Sequence, residues 1–205
     1  MAPDAAASSD GHYFTDQPDV ASRPTTVELA LPELRVELAT DTGVFSARRV
    51  DPGTRILLVD GPAVRKLDGR LLDLGCGYGP IAYALAHRAP DAQVWAVDVN
   101  RRALALAQTN LAGHPNVTVG HVDDVPKDLE FDEIWSNPPV RIGKQALRDL
   151  LTQWLSRLSV GGRAVLVVQR HLGADSLAQW LVDEGWPTER LRSRIGYRIL
   201  EVNVP

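Results

Sequence analysis

Arg70-Leu71-Leu72-Asp73-Leu74-Gly75-Cys76-Gly77-Tyr78-Gly79-Pro80 is the stretch on which the architecture turns. Its first five residues, three of them leucine, make a candidate for a buried strand. Three glycines at alternate positions follow, and Pro80–Arg88 then has the composition of a helix. Proline suits a first helical turn, where its missing N–H costs nothing. Glycine permits positive φ and lets a ligand come close to the backbone. The spacing is G-x-G-x-G. It is not the dinucleotide pattern G-x-G-x-x-G, because Pro80 sits where that loop would continue.

Downstream the pattern is regular. Val94–Val99 reads as a strand and Arg101–Leu111 as a helix stopped by Gly113 and Pro115. Val117–Val122 and Glu133–Ser136 read as further strands. Gln145–Leu158 has helical spacing, with Gly161–Gly162 as its expected end. Arg163–Gln169 reads as a strand, Ser176–Glu184 as a helix, and two strands close the chain around Gly196. Upstream, Val27–Leu31 and Leu34–Ala39 alternate apolar and polar residues around Pro32–Glu33, which predicts a β-hairpin. Ile56–Val59 is a short apolar run ended by Asp60-Gly61-Pro62. Strands alternating with helices imply an α/β fold, a mostly parallel sheet covered on both faces. Residues 1–24 read as a loosely structured segment and 25–205 as a single domain that includes the hairpin 27–39.

Composition excludes several classes. The chain has 205 residues, 44% apolar and 23% charged, an ordinary globular balance. No run approaches the ~20 apolar residues of a membrane-spanning helix. Met1–Gly11 has neither a basic start nor an apolar core, so a signal peptide is not expected. The single cysteine, Cys76, fits a reducing cytoplasm, and five scattered histidines lack metal-ligand spacing, so no metal is expected. The net charge of −4 is unevenly spread, since residues 141–205 carry 10 basic and 6 acidic groups. If 189–195 is a strand, its period of two puts Arg190, Arg192 and Arg194 on one face. Such a face serves either as a solvated edge that blocks aggregation or as a phosphate contact.

Asp98 ends the strand after the glycine loop, 21 residues beyond Gly77, where a carboxylate can accept both hydroxyls of a ribose. The loop and Asp98 together resemble the cofactor site of class I S-adenosylmethionine-dependent methyltransferases. The resemblance implies that Asp73, Gly75, Cys76, Gly77 and Gly79 face the methionyl and ribose parts, that Asp98 holds the ribose, and that Val99 lines the adenine pocket. Asp123 or Asp124, after the third strand, would approach the adenine amino group; either is also readable as a solvated loop residue. Cys76 reads as a small residue that fits the loop, since no histidine lies near it in sequence to make it a nucleophile.

The second motif is Ser136-Asn137-Pro138-Pro139-Val140 at the end of a strand. Two prolines stiffen the chain and aim its carbonyls. A carboxamide oxygen beside a fixed carbonyl offers two acceptors to one NH₂ group, which favours a pyramidal nitrogen with an available lone pair. Catalysis would then rest on orientation and electrostatic support, with no strong base. The tetrad resembles the hallmark of methyltransferases acting on exocyclic or amide nitrogen, with Asn137, Pro138 and Pro139 as its catalytic part. Val140 stands where adenine- and glutamine-directed members carry an aromatic residue. The continuation Arg141-Ile142-Gly143-Lys144 is similar to the subfamily that methylates the guanine amino group of small-subunit ribosomal RNA. Val140, Arg141, Lys144, Arg192 and Arg194 are then candidates for substrate contact; the charged ones are equally readable as ordinary flanking charges.

His12-Tyr13-Phe14, Ser22-Arg23-Pro24-Thr25-Thr26, Thr40-Asp41-Thr42-Gly43-Val44-Phe45-Ser46 and Asp51-Pro52-Gly53-Thr54-Arg55 follow that subfamily's order. Phe45 would wall the methionine end of the cofactor or else be a plain core residue. The implied fold is Rossmann-like, a mostly parallel seven-stranded sheet with an antiparallel last strand. The implied activity is methyl transfer from S-adenosylmethionine to guanine in ribosomal RNA or the small ribosomal subunit, in the cytoplasm. Two rivals remain at this level: a methyltransferase for another RNA amine or a protein glutamine, and a non-catalytic RNA-binding or assembly factor.

Overall fold

The computed structural model describes residues 20–205. His12-Tyr13-Phe14 and most of the segment read as loose lie outside them. Residues 20–24 form no helix or strand, yet they are held: Ser22 Oγ donates to Asp41 Oδ2 at 2.6 Å, and Arg102 donates to the Val20 carbonyl at 3.0 Å.

The chain begins with the expected hairpin, β1 (Thr25–Leu31) against β2 (Leu34–Thr40), which stands as its own two-stranded sheet. Helix α1 (Pro52–Asp60) follows. Then come β3 (Arg70–Leu74), α2 (Pro80–Arg88), β4 (Gln93–Asp98), α3 (Arg101–Asn110), β5 (Val117–His121), β6 (Phe131–Ser136), α4 (Lys144–Leu155), β7 (Leu158–Gln169), α5 (Ala174–Asp183), β8 (Thr188–Arg194) and β9 (Tyr197–Asn203). The seven strands of the main sheet lie in the order β5-β4-β3-β6-β7-β9-β8. Pairings among β3 to β7 are parallel, while β9 runs antiparallel to β7 and β8. Among the described residues, no helix is long and apolar enough to cross a membrane.

Alternation along the strands builds two cores. Leu71, Val94, Ala96, Trp135, Val165 and Ile199 join α1, α2, α3 and the hairpin on one face. Leu72, Leu74, Ile134, Leu166, Val168 and Leu200 join α4 and α5 on the other. A strand buried on both faces needs continuous apolar sequence, and β7 supplies it from Ala164 to Val168.

Two expectations need correction, and one run gains an element. Ile56–Val59, read only as a short apolar run, is part of α1, which starts four residues earlier at the signal Asp51-Pro52. Helix α4 ends at Leu155, not at Gly161–Gly162; those glycines lie within β7, where a Cβ on Gly162 would meet the Ser159 carbonyl at 2.8 Å. Arg190, Arg192 and Arg194 do not share a face. A bulge shifts the register so that Arg190 pairs with Leu200 and Arg192 with Ile199, whose side chains enter opposite cores.

Candidate active site

The glycine loop leaves β3 and is stitched to the end of β4. Gly75 N and Cys76 N both donate to the Val97 carbonyl at 2.9 Å. Asp98 braces the same turn, its Oδ2 accepting from Gly77 N at 2.8 Å and its Oδ1 from Asn100 N at 2.9 Å. Gly75 and Gly77 sit at φ of +76° and +56°, and a Cβ on either would project into open space. The positive φ requires glycine, and the open space leaves the backbone accessible.

Asp73 lies beneath the loop, fully buried. Its Oδ2 accepts from Ala82 N in the first turn of α2 at 2.8 Å, while its Oδ1 has no partner. Burial, reinforced by the neighbouring Asp98 charge, pushes the Asp73 carboxyl up to about 8. Burial also raises Asp98, and burial with both carboxylates lifts the Cys76 thiol well above its usual value. A thiol held protonated is no nucleophile, which leaves Cys76 as the small buried residue the loop requires. The site is thus short of positive charge and holds one orphaned buried acceptor.

Asn137 stands at the carboxyl end of β6, beside the loop. Ser136 Oγ donates to the Leu74 carbonyl at 2.7 Å and so ties the ends of β6 and β3 together. Asn137 Nδ2 donates to Asp51 Oδ1 at 2.8 Å and to Thr54 Oγ1 at 3.1 Å. Only the NH₂ end of a carboxamide can face a carboxylate, so this contact fixes which way the side chain points. Asp51 is also the N-cap of α1, accepting from Gly53 N at 2.7 Å and Thr54 N at 3.1 Å. The two prolines turn sharply. Pro139 at φ −75°, ψ 69° is the centre of an inverse γ-turn, in which the Pro138 carbonyl accepts from Val140 N at 2.8 Å. One lone pair of that carbonyl is therefore used and one is left.

One depression joins these parts. Phe45, Gly75, Gly77, Tyr78, Asp51 and Asn137 all line it. Phe45 is 41% exposed, so it is a wall of the depression, and its neighbour Val44, at 0%, is the core residue. The segment is pinned from behind by Asn100, which caps α3 and donates from Nδ2 to the Gly43 carbonyl at 2.9 Å.

The other sequence candidates lie around this centre. Val99 is half-buried just past β4. Asp123 and Asp124 are exposed in a short turn after β5. Asp123 sits 3.3 Å from His121 Nδ1, and Asp124 accepts from His121 N at 3.3 Å. Val140 and Lys144 border a second shallow depression together with Arg148, Leu172 and Ser176, and Arg141 is exposed between them. Arg194 pairs with Asp60, whereas Arg190 and Arg198 face Asp175 at 3.6 and 3.4 Å. Asp51, Thr54, Tyr78 and Asn100 are site residues to which the sequence reading assigned no role, although Asp51 and Thr54 lie in a quoted stretch. An acidic residue directly before proline is a helix-start signal, and it would have drawn attention to Asp51.

Comparison with known proteins accords with this geometry. The methyltransferase small domain matches residues 35–201. An uncharacterised Bacillus subtilis protein, YbxB, is 32% identical over 195 residues, covering 93% of this chain and 96% of that one. Ribosomal RNA small subunit methyltransferase C of Shewanella amazonensis is 33% identical over 170 residues, covering 80% of this chain and 49% of the relative. Among solved structures, a T. thermophilus 16S rRNA N2 methyltransferase in complex with AdoMet and guanosine superposes with a TM-score of 0.76 at 25% identity, covering 92% of this chain and 52% of that one. The chain thus spans nearly all of YbxB and about half the length of the ribosomal RNA methyltransferases it matches. The chain belongs to the methyltransferase small domain family, among the class I S-adenosylmethionine-dependent methyltransferases.

Proposed function

We propose that this protein methylates the exocyclic amino group of guanine in small-subunit ribosomal RNA. The observation that carries the reading is the Asn137 carboxamide, held with its NH₂ against α1 in a depression it shares with the glycine loop. Its Oδ1 and the remaining lone pair of the Pro138 carbonyl are two acceptors on adjacent residues where the chain enters a rigid turn. They suit one NH₂ group, whose two hydrogens they would hold.

The residues present fit S-adenosylmethionine. The open backbone of Gly75 and Gly77 would cradle it, Asp98 at the end of β4 would hold the ribose, and the orphaned Asp73 Oδ1 would take a cationic donor such as the methionyl ammonium. When bound, S-adenosylmethionine supplies an electrophilic methyl group. Asn137 and Pro138 orient the acceptor amine and favour the positive charge that develops on its nitrogen, which is catalysis by position and electrostatics. Phe45 closes the wall beside the loop.

Guanine is favoured over adenine and glutamine by Val140 in place of an aromatic residue. It is also favoured by likeness to a T. thermophilus enzyme solved with guanosine. Arg141, Lys144, Arg192 and Arg194 are proposed backbone contacts. Such a substrate puts the activity in the cytoplasm.

The test is Asn137→Ala, assayed by methyl transfer onto small ribosomal subunits and by calorimetry of cofactor binding. Transfer should fall by at least about 100-fold, the scale seen when one preorganised polar group is removed. Cofactor affinity should stay within about threefold of the parent, because Asn137 serves the acceptor and not the cofactor. Equal loss of both would sink the assignment. Methylation of release factors and not of ribosomal subunits would shift the acceptor to protein glutamine.

A further inference from the structure

The amino end of α1 does more than start a helix. We infer that Asp51 and Thr54 are positioning residues for methyl transfer, a two-point clamp that fixes and polarises the Asn137 carboxamide. The inference rests on the amine-methylation reading of Asn137. Both amide hydrogens of Asn137 are taken, one by Asp51 Oδ1 at 2.8 Å and one by Thr54 Oγ1 at 3.1 Å. A carboxamide donating twice cannot flip, so its oxygen stays on the acceptor side through turnover.

The clamp is itself rigid. Thr54 is buried, and Asp51 Oδ1 is held by Gly53 N at 2.7 Å and Thr54 N at 3.1 Å as the α1 cap. Donating to a carboxylate increases the electron density on the amide oxygen, because chained hydrogen bonds polarise one another in a low-dielectric site. The Asp51 charge thus stands one amide group away from a nitrogen that becomes positive during transfer. Fixed negative charge so placed lowers the barrier without needing a base.

The experiment compares Asp51→Asn, Thr54→Val, Thr54→Ser and Asn137→Ala in methyl transfer to small ribosomal subunits from a strain lacking this gene. Each variant is also measured for S-adenosylmethionine binding and thermal unfolding. Asp51→Asn keeps a good N-cap and removes the charge; Thr54→Val keeps the shape and removes the acceptor. Each should lower kcat by about ten- to a hundredfold, with KM for subunits and cofactor Kd within about twofold and an unchanged Tm. Thr54→Ser should restore kcat to within about threefold of the parent, as its oxygen can still accept. Parental kcat in both Asp51→Asn and Thr54→Val, beside a slow Asn137→Ala, overturns the clamp and leaves the function intact. A kcat loss matched by equal loss of cofactor affinity or of folded structure also overturns it, by showing a structural role. Parental transfer by Asn137→Ala overturns the amine-methylation reading itself.

Discussion

Asp73 is the residue where the site's electrostatics are most exposed to test. Its carboxyl is pushed up to about 8 by burial and by Asp98, with a single hydrogen bond from Ala82 N in opposition. A carboxyl whose folded pKa lies above its unfolded value of about 3.9 contributes stability in its protonated form. That contribution is full below the unfolded pKa and is lost as pH rises through about 8. The cofactor-free protein should therefore melt at a lower temperature at pH 8.5 than at pH 6.5, and Asp73→Asn should flatten the difference. Thermal unfolding across that window checks it, and an identical pH slope in the variant would refute it. Legibility at this scale was uneven. Asp73, Asp98 and Asn137 stood out because chemistry needs those side chains next to glycines or prolines. Asp51 stood in a quoted stretch without a role, because its partner lies 86 positions away in the chain.

At the scale of elements, β3, α2 and α3 lie close to where the sequence puts them, since each is bounded by a local signal: glycine, proline or an Asn cap. The edge strand β8 shows the opposite case. Its bulge between Arg190 and Arg192 depends on the pairing with β9, and nothing within Thr188–Arg194 announces it. The consequence is a divided basic strand. Arg190 turns toward Asp175 on α5, Arg194 pairs with Asp60 on α1, and the Arg192 guanidinium reaches the Leu191 carbonyl at 3.3 Å. Among the described residues, Arg192 is the one of the three without a carboxylate partner and is thus the best placed to meet a phosphate. Arg192→Ala should weaken ribosomal RNA binding uniformly and reduce the slope of log K against log salt by about one. Filter binding at several salt concentrations measures this, and an unchanged slope would remove β8 from the proposed RNA interface.

Across the whole molecule, the sheet is locked at the end remote from the site by a buried ionic network. Arg163 on β7, 1% exposed, bonds Glu133 on β6 at 2.8 and 2.9 Å and Glu201 on β9 at 2.7 Å. Arg65, from the segment after α1, closes on Glu201 at 2.6 Å. Burial alone would raise the Glu201 carboxyl, but hydrogen bonds from Arg163 and Arg65 hold it below its ordinary value. Arg163→Met would leave the buried Glu133 without a cation and Glu201 with Arg65 alone, at a cost of about 3–5 kcal/mol. Denaturant unfolding should register that loss, and adding Glu133→Gln with Glu201→Gln should recover much of it. An undiminished stability in Arg163→Met would show that the network is not what joins β6, β7 and β9. The local sequence around Arg163 is apolar and reads only as a core strand, so the buried cation becomes intelligible only with its partners 30 and 38 positions away.

What the sequence determined by itself is the hairpin, the order of strands and helices from β3 onward, the glycine loop with Asp98, and the Asn-Pro-Pro turn. These rest on local physics: apolar periodicity, positive φ at glycine, and fixed φ at proline. Only the tertiary structure decided how Asn137 points, which arginines face together, and what holds the sheet at its far end. Those outcomes are set by pairs of groups brought together by topology, and hydrogen-bond geometry across 30 or 86 positions leaves no mark on the residues in between.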